Sequence, residues 1–196
     1  MPMRRVRLFL MLMMLGWGGP AWAGVEISFY SKDLASTFPH AFVRLQGKVD
    51  STSQVIDESL GFTPTSISPA LLGGGAVPGM IEKSAPLYVS RSDRHFTLTL
   101  TEEQYRSVMA IVDEWRRLPQ PSYRLKSRNC VHFVAEVATA LGLTAPVIPK
   151  LKTKPKTFLR KVTAENAARI RDRANPSDMI GPPPSTGNVV ANDKLP

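Results

Sequence analysis

The sequence predicts an α+β domain, an antiparallel sheet packed against helices, and three observations carry that prediction. Short segments alternate apolar and polar residues, most clearly at residues 25–30 and 95–100, which is the period of a strand with one buried face. Two later segments, 101–118 and 129–141, repeat apolar residues every three or four positions, the period of a helix with one buried face. Finally, 196 residues suit one compact domain with its own core.

The elements follow in order. Arg4, Arg5 and Arg7 make a positive start, residues 8–15 with Trp17 are apolar, and Ala21-Trp22-Ala23 fits a small-residue cleavage site. This apolar run is shorter than the roughly 20 residues that span a bilayer. Residues 1–23 are therefore expected to be a signal peptide, removed after Ala23, and the mature protein is expected to be periplasmic or extracellular. An uncleaved anchor is the alternative.

Strands are expected at 25–30, 41–45, 54–62, 87–90 and 95–100, arranged as hairpins. Residues 63–78, with the run Leu71-Leu72-Gly73-Gly74-Gly75, break the strand rhythm and read as a flexible connection or a flap. Thr101-Glu102-Glu103-Gln104 is a capping box, and Tyr105, Val108, Val112 and Trp115 give the helix after it an apolar face until Pro119. Asn129 is a good N-cap for a second helix. Phe133, Val134, Val137, Ala138 and Leu141 supply its buried face, and Gly142 its stop.

Charge marks an expected boundary. Residues 24–149 hold twelve Lys and Arg against twelve Asp and Glu, whereas residues 150–173 hold nine against two. The mature domain is thus assigned to 24–149, followed by a basic, Pro-rich and largely disordered tail at 150–196 containing a short helix at about 157–173. Residues 150–173 could draw the protein to an anionic membrane or cell-wall surface, or could simply be a solvated tail. Nucleic acid is not expected as a partner of an exported chain.

The chain has one cysteine, Cys130, in Asn129-Cys130-Val131-His132-Phe133. An unpaired thiol in an oxidising compartment is either a buried apolar group or a working nucleophile. Position favours the nucleophile. Cys130 falls on the first residue of the second helix, where unpaired N–H groups and the helix dipole would lower its pKa and could hold an oxyanion.

A thiolate needs a base, and there are three histidines. His132, two residues along the same helix, points away from Cys130 and reads as a supporting or packing residue. His95 and His40 each head a strand. His40 is preferred, because the next strand carries Asp57, which could orient the imidazole and complete a triad of Cys130, His40 and Asp57.

The segment Tyr123-x-Leu125-x-x-x-Asn129-Cys130-x-His132-Phe133-Val134 resembles the nucleophile segment of lecithin:retinol acyltransferase-like proteins, whose motif reads Asn-Cys-Glu-His-Phe with a Tyr seven residues before the Cys. These form a permuted branch of the NlpC-type papain-like superfamily. The order of that branch, His strand, polar-residue strand, Cys helix, is matched by His40, then residues 55–59, then Cys130. The resemblance covers residues 25–143. It implies a circularly permuted papain-like fold and gives Tyr123 a polar role near the oxyanion. Two departures stand out. Val131 replaces the family's Glu, and the third triad position, usually His or another polar residue, offers only Asp57, Glu58 or Ser59. Asp57 and Ser59 share a face, and the carboxylate is the better partner for an imidazolium.

The expected activity is that of an exported cysteine hydrolase, an amidase or peptidase acting on a peptide substrate such as peptidoglycan through a thioacyl intermediate. A lipid acyl hydrolase or acyltransferase, and a non-catalytic envelope-binding module, are the alternatives. Asn129, His132, Tyr123 and Ser59 are the expected supporting residues. No cofactor and no metal are expected.

Overall fold

A computed structural model describes residues 22–33 and 39–174. Its elements are β1 (Trp22–Lys32), β2 (His40–Lys48), β3 (Val55–Pro64), α1 (Pro69–Leu72), β4 (Ala76–Val77), β5 (Gly79–Lys83), α2 (Pro86–Ser90), β6 (Asp93–Thr101), α3 (Glu102–Arg116), β7 (Tyr123–Arg124), α4 (Cys130–Ala140), α5 (Pro155–Glu165) and α6 (Ala167–Ala174). Five strands form one antiparallel sheet in the order β5-β3-β2-β1-β6, and β4 pairs with β7. The class is α+β, with the sheet packed against helices.

Strand alternation builds the core. Val25, Ile27 and Phe29 of β1, Ala41, Val43 and Leu45 of β2, and Phe96, Leu98 and Leu100 of β6 are all buried in one cluster. Val108, Val112 and Trp115 of α3, Phe133, Val134, Val137 and Ala138 of α4, and Phe158, Leu159 and Val162 of α5 join the same cluster. A smaller cluster of Tyr30, Phe42 and Val89, with Tyr88 against it, covers part of the sheet's other face.

The helices α3 and α4 are bounded as their sequences require. Thr101 and Gln104 form the capping box of α3, and Asn129 caps α4. Gly142, at φ +79°, takes the left-handed conformation just past α4.

Three expectations change. Residues 87–90 lie in a one-turn helix, α2, rather than a strand; Pro86 starts it, and four apolar-rich residues are too few to distinguish the two periods. Residues 63–78 are not an open flap. Ser68 caps α1, and Gly73, Gly74 and Gly75 donate to Pro69, Leu71 and Ala70 carbonyls at 2.9, 3.1 and 2.8 Å, closing an ordered turn. The Gly75 α-carbon lies so close to the Ala70 carbonyl that a β-carbon would sit 2.8 Å from it.

The third change concerns the expected boundary at residue 149. Phe158, Leu159 and Val162 are essentially without solvent exposure, so residues 150–174 fold onto the domain instead of trailing from it. Charge suggested a tail, but the apolar stripe of α5 decides the packing. Residues 1–21, most of the expected signal peptide, and the Pro-rich residues after 174 lie outside the described residues. Among the described residues, no helix is long and apolar enough to cross a membrane.

Candidate functional site

Asn129 organises the region around Cys130. Its side-chain oxygen accepts from the Val131 amide at 2.9 Å and the His132 amide at 3.3 Å, which starts α4 at Cys130. Its amide nitrogen donates to the Leu125 carbonyl at 2.6 Å and the Lys152 carbonyl at 2.7 Å, tying the turn before α4 to the loop before α5. His132 Nδ1 lies 2.9 Å from the same Asn129 oxygen, so His132 supports the cap and does not face the thiol.

The Cys130 side chain is buried. The backbone N–H groups of Ala41 and Val131, and its own, lie near enough to its sulfur to favour the thiolate. Desolvation is larger. Burial pushes the thiol up to about 11, against the expectation of a lowered pKa. The helix start is present as expected, but the sulfur is walled off from water, so the resting group is a neutral thiol.

His40 is the first residue of β2, next to the Ala41 whose amide lies near the sulfur. Its ring stacks on Phe42, 5.9 Å between centroids, on the sheet face opposite Ala41. Burial lowers its pKa to about 4, so it too rests neutral. No hydrogen bond joins His40 to Cys130 among the described residues; the link between them is Ala41, which follows His40 in β2 and whose amide lies near the sulfur.

The far ring nitrogen of His40 lies over Gly61 of β3. A β-carbon there would come within 2.4 Å of Nε2 and 2.9 Å of the Phe42 β-carbon, so the ring occupies the space that glycine leaves. Glu82 of β5 stands opposite Gly61 in the strand register, on the same sheet face. Cross-strand β-carbon positions are about 5 Å apart, within reach of a glutamate side chain.

A cavity of about 340 Å³ opens here, with His40, Thr63, Glu82, Ser84, Tyr88 and Tyr123 in its wall. Cys130 faces a much narrower pocket of about 10 Å³, shared with Leu125, Thr153 and Pro155. Pro39 and Tyr123 line both, and so stand between the thiol and the cavity.

Two tyrosines line the larger cavity. Burial pushes Tyr88 up to about 12, with negative charge at Cys130 and then Glu82 adding to the shift. Tyr123, stacked on Phe62 at 5.4 Å, is raised further, by burial and then by Cys130. Both therefore remain protonated. The arrangement sets a neutral imidazole and two phenols in the wall of the cavity, and a thiol in the narrow pocket next to it.

The other expected residues are placed elsewhere. Asp57 makes a two-bond ion pair with Arg44, 2.9 and 3.1 Å, is largely exposed, and stands opposite Gln46 of β2. Gln46 is six residues from His40, about 20 Å along a strand. Asp57 thus does not orient His40, because the strand register carries it to the far end of the pair. Ser59 donates to the Ser84 carbonyl at 2.8 Å and clamps β3 to the end of β5. His95 Nε2 lies 2.8 Å from the buried Ser31 hydroxyl, away from the cavity.

Glu82, Tyr88 and Gly61 were not singled out from the sequence. Glu82 lies on a five-residue strand of weak pattern, and Tyr88 on the misread segment 87–90. Gly61 carried a usable signal, since a glycine inside the buried run Leu60-Gly61-Phe62 marks a close approach.

Among the described residues no cluster of three or more His, Cys, Asp or Glu side chains is arranged to hold a metal ion. No protein-family model matches the chain, and neither a curated protein nor a solved structure matches it.

Proposed function

We propose that the protein is an exported cysteine hydrolase of the amidase or peptidase type, with Cys130 as nucleophile, His40 as base and Glu82, in place of Asp57, orienting His40. The observation that carries the reading is the nearness of the Ala41 amide, one residue from His40, to the Cys130 sulfur, with Pro39 and Tyr123 shared between the pocket of the thiol and the cavity that His40 lines. The order His40 strand, following strand, Cys130 helix supports a circularly permuted papain-like arrangement like that of the lecithin:retinol acyltransferase-like proteins.

In this mechanism, substrate entering from the cavity brings its carbonyl carbon to the sulfur. His40 takes the thiol proton through Nδ1, the ring nitrogen nearer the main chain, because Nε2 is turned toward Gly61 and Glu82. Sulfur bonds to the carbonyl carbon, and the oxyanion is held by the backbone N–H groups at the start of α4 and by a tyrosine hydroxyl. The imidazolium then gives its proton to the leaving nitrogen as the C–N bond breaks, leaving a thioester. Water, deprotonated by His40, attacks the thioester, and the acid and the thiol are released. Neutral resting partners mean that proton transfer accompanies attack rather than preceding it.

A second reading, with a lipid acyl ester as substrate, is favoured by Ile67, a cavity-lining residue that is 58% exposed. Treating the protein with an activated acyl ester and mapping adducts by mass spectrometry tests the shared chemistry. The expected result is a thioester on Cys130 whose formation slows at least about 100-fold in His40→Ala. Equal labelling of wild type and His40→Ala, or no adduct on Cys130, overturns the reading and leaves an envelope-binding module. Purified peptidoglycan and phospholipid vesicles, offered separately, then distinguish amide from ester.

A further inference from the structure

Between Glu114 and Glu165 the one acidic residue is Glu136, and its carboxylate is engaged by the Trp115 indole N–H at 2.9 Å. Arg117 and Arg160 aside, which have no ion pair among the described residues and lie outside the two turns below, the cations of this stretch fall into two groups. Arg116, Lys156 and Lys161 form ion pairs, Lys156 with both Asp33 and Asp93. Arg124, Lys126 and Arg128 of one turn, and Lys150, Lys152 and Lys154 of another, have no ion pair among the described residues. All six are exposed except the half-buried Lys152.

The two turns are separated in sequence but held together. Asn129 bonds the Leu125 carbonyl of the first and the Lys152 carbonyl of the second. Each turn is closed by its own backbone hydrogen bonds, Arg128 to Arg124 at 2.9 Å and Lys154 to Leu151 at 2.9 Å. Lys152 lies close enough to His132 for its charge to help lower that histidine's pKa, behind burial. Leu125 and Thr153, one from each turn, wall the Cys130 pocket. The unpaired charge therefore forms a rim around the thiol, not a tail remote from it.

We infer that these two turns dock the protein onto an anionic lipid surface, with the Cys130 pocket turned toward the bilayer. The cations are spread over two turns on the outside of the molecule, and do not converge into a cavity as they would around a small anion. Beside them Ile148 is 37% exposed, an apolar group next to a cationic row, which suits the headgroup boundary of a bilayer better than a fully hydrated acidic polymer. The inference goes beyond the proposed reaction and does not require Cys130 to be a nucleophile.

Flotation of the full chain with vesicles tests it. Binding is expected to phosphatidylcholine vesicles containing about 30% phosphatidylglycerol at about 50 mM salt, and not to pure phosphatidylcholine, with steep loss as salt rises. Each cation near an anionic surface is worth about fivefold, so Lys126→Glu, Lys150→Glu and Lys154→Glu combined should weaken binding at least about 100-fold. A control with the same net charge, Lys48→Glu, Arg91→Glu and Arg94→Glu, should change it by less than about fivefold. Matching thermal melts establish that both triple variants are folded. Similar losses in the two, equal binding to neutral vesicles, or binding to polyglutamate with none to anionic vesicles would each overturn the inference.

Discussion

At the residue scale the two central groups are tuned against ionisation. Burial holds the Cys130 thiol up at about 11 and His40 down at about 4. For His40 the consequence has a definite sign. Its folded pKa lies below the unfolded value, so both states are neutral above about pH 6.5; as pH falls from there toward 4 the unfolded chain gains a proton that the folded chain refuses. Folding stability should thus fall by up to about 3 kcal/mol over that window on account of His40. In His40→Phe, urea melts at pH 7 and pH 4.5 should differ by clearly less than in the wild type; an unchanged difference would show that the ring is solvated. For Cys130 the raised value acts at the other end, removing stability as pH climbs from about 8.5 through 11.

Gly61 is the residue on which the histidine's placement depends. An alanine β-carbon would meet the His40 ring at 2.4 Å and Phe42 at 2.9 Å, and neither can yield cheaply inside the sheet. Gly61→Ala should cost about 1–3 kcal/mol by overpacking. It should also slow acylation of Cys130 nearly as much as His40→Ala does, although it removes no reactive group. Wild-type acylation in a destabilised but folded Gly61→Ala protein would mean that the ring position over glycine is irrelevant to chemistry.

At the element scale, Asn129 does more than cap. It accepts from the start of α4 and donates to two loops, so Asn129→Ala strands two carbonyls and two amides at once. The loss should exceed the roughly 1 kcal/mol of an ordinary cap and come to about 3 kcal/mol by urea denaturation. Asn129→Asp, which keeps the acceptor and loses the donors, should fall between the two. This part of the site was legible in the sequence, because a cap and the first residue of a helix are local properties. The capping box of α3 and the buried faces of both long helices were legible for the same reason. The proposed orienting group was not. It depends on which residues three strands bring abreast, and the register that removes Asp57 and presents Glu82 comes from hairpin lengths and from a weakly patterned β5. Periodicity also failed at α2, one turn long, where strand and helix spacings coincide.

At the scale of the whole molecule, the boundary implied by charge and the boundary set by packing disagree, and the site depends on the second. Lysines and arginines on α5 and α6 made residues 150–174 look solvated, yet a helix needs only one apolar stripe to join a core. Phe158, Leu159 and Val162 form that stripe, while Thr153, just before α5, and Pro155, its first residue, line the pocket of Cys130. The element that completes the core therefore also excludes water from the thiol. Phe158→Ala should cost about 3–5 kcal/mol, a large share of a typical domain's stability of 5–15 kcal/mol. By loosening α5 it should also admit water to the pocket and lower the thiol's pKa toward the ordinary cysteine range. Iodoacetamide labelling of Cys130 near pH 8 should then be faster in folded Phe158→Ala than in the wild type. If labelling stays slow in a destabilised Phe158→Ala protein, the burial of the thiol is the work of the sheet and α4 alone, and α5 contributes to stability without shaping the site.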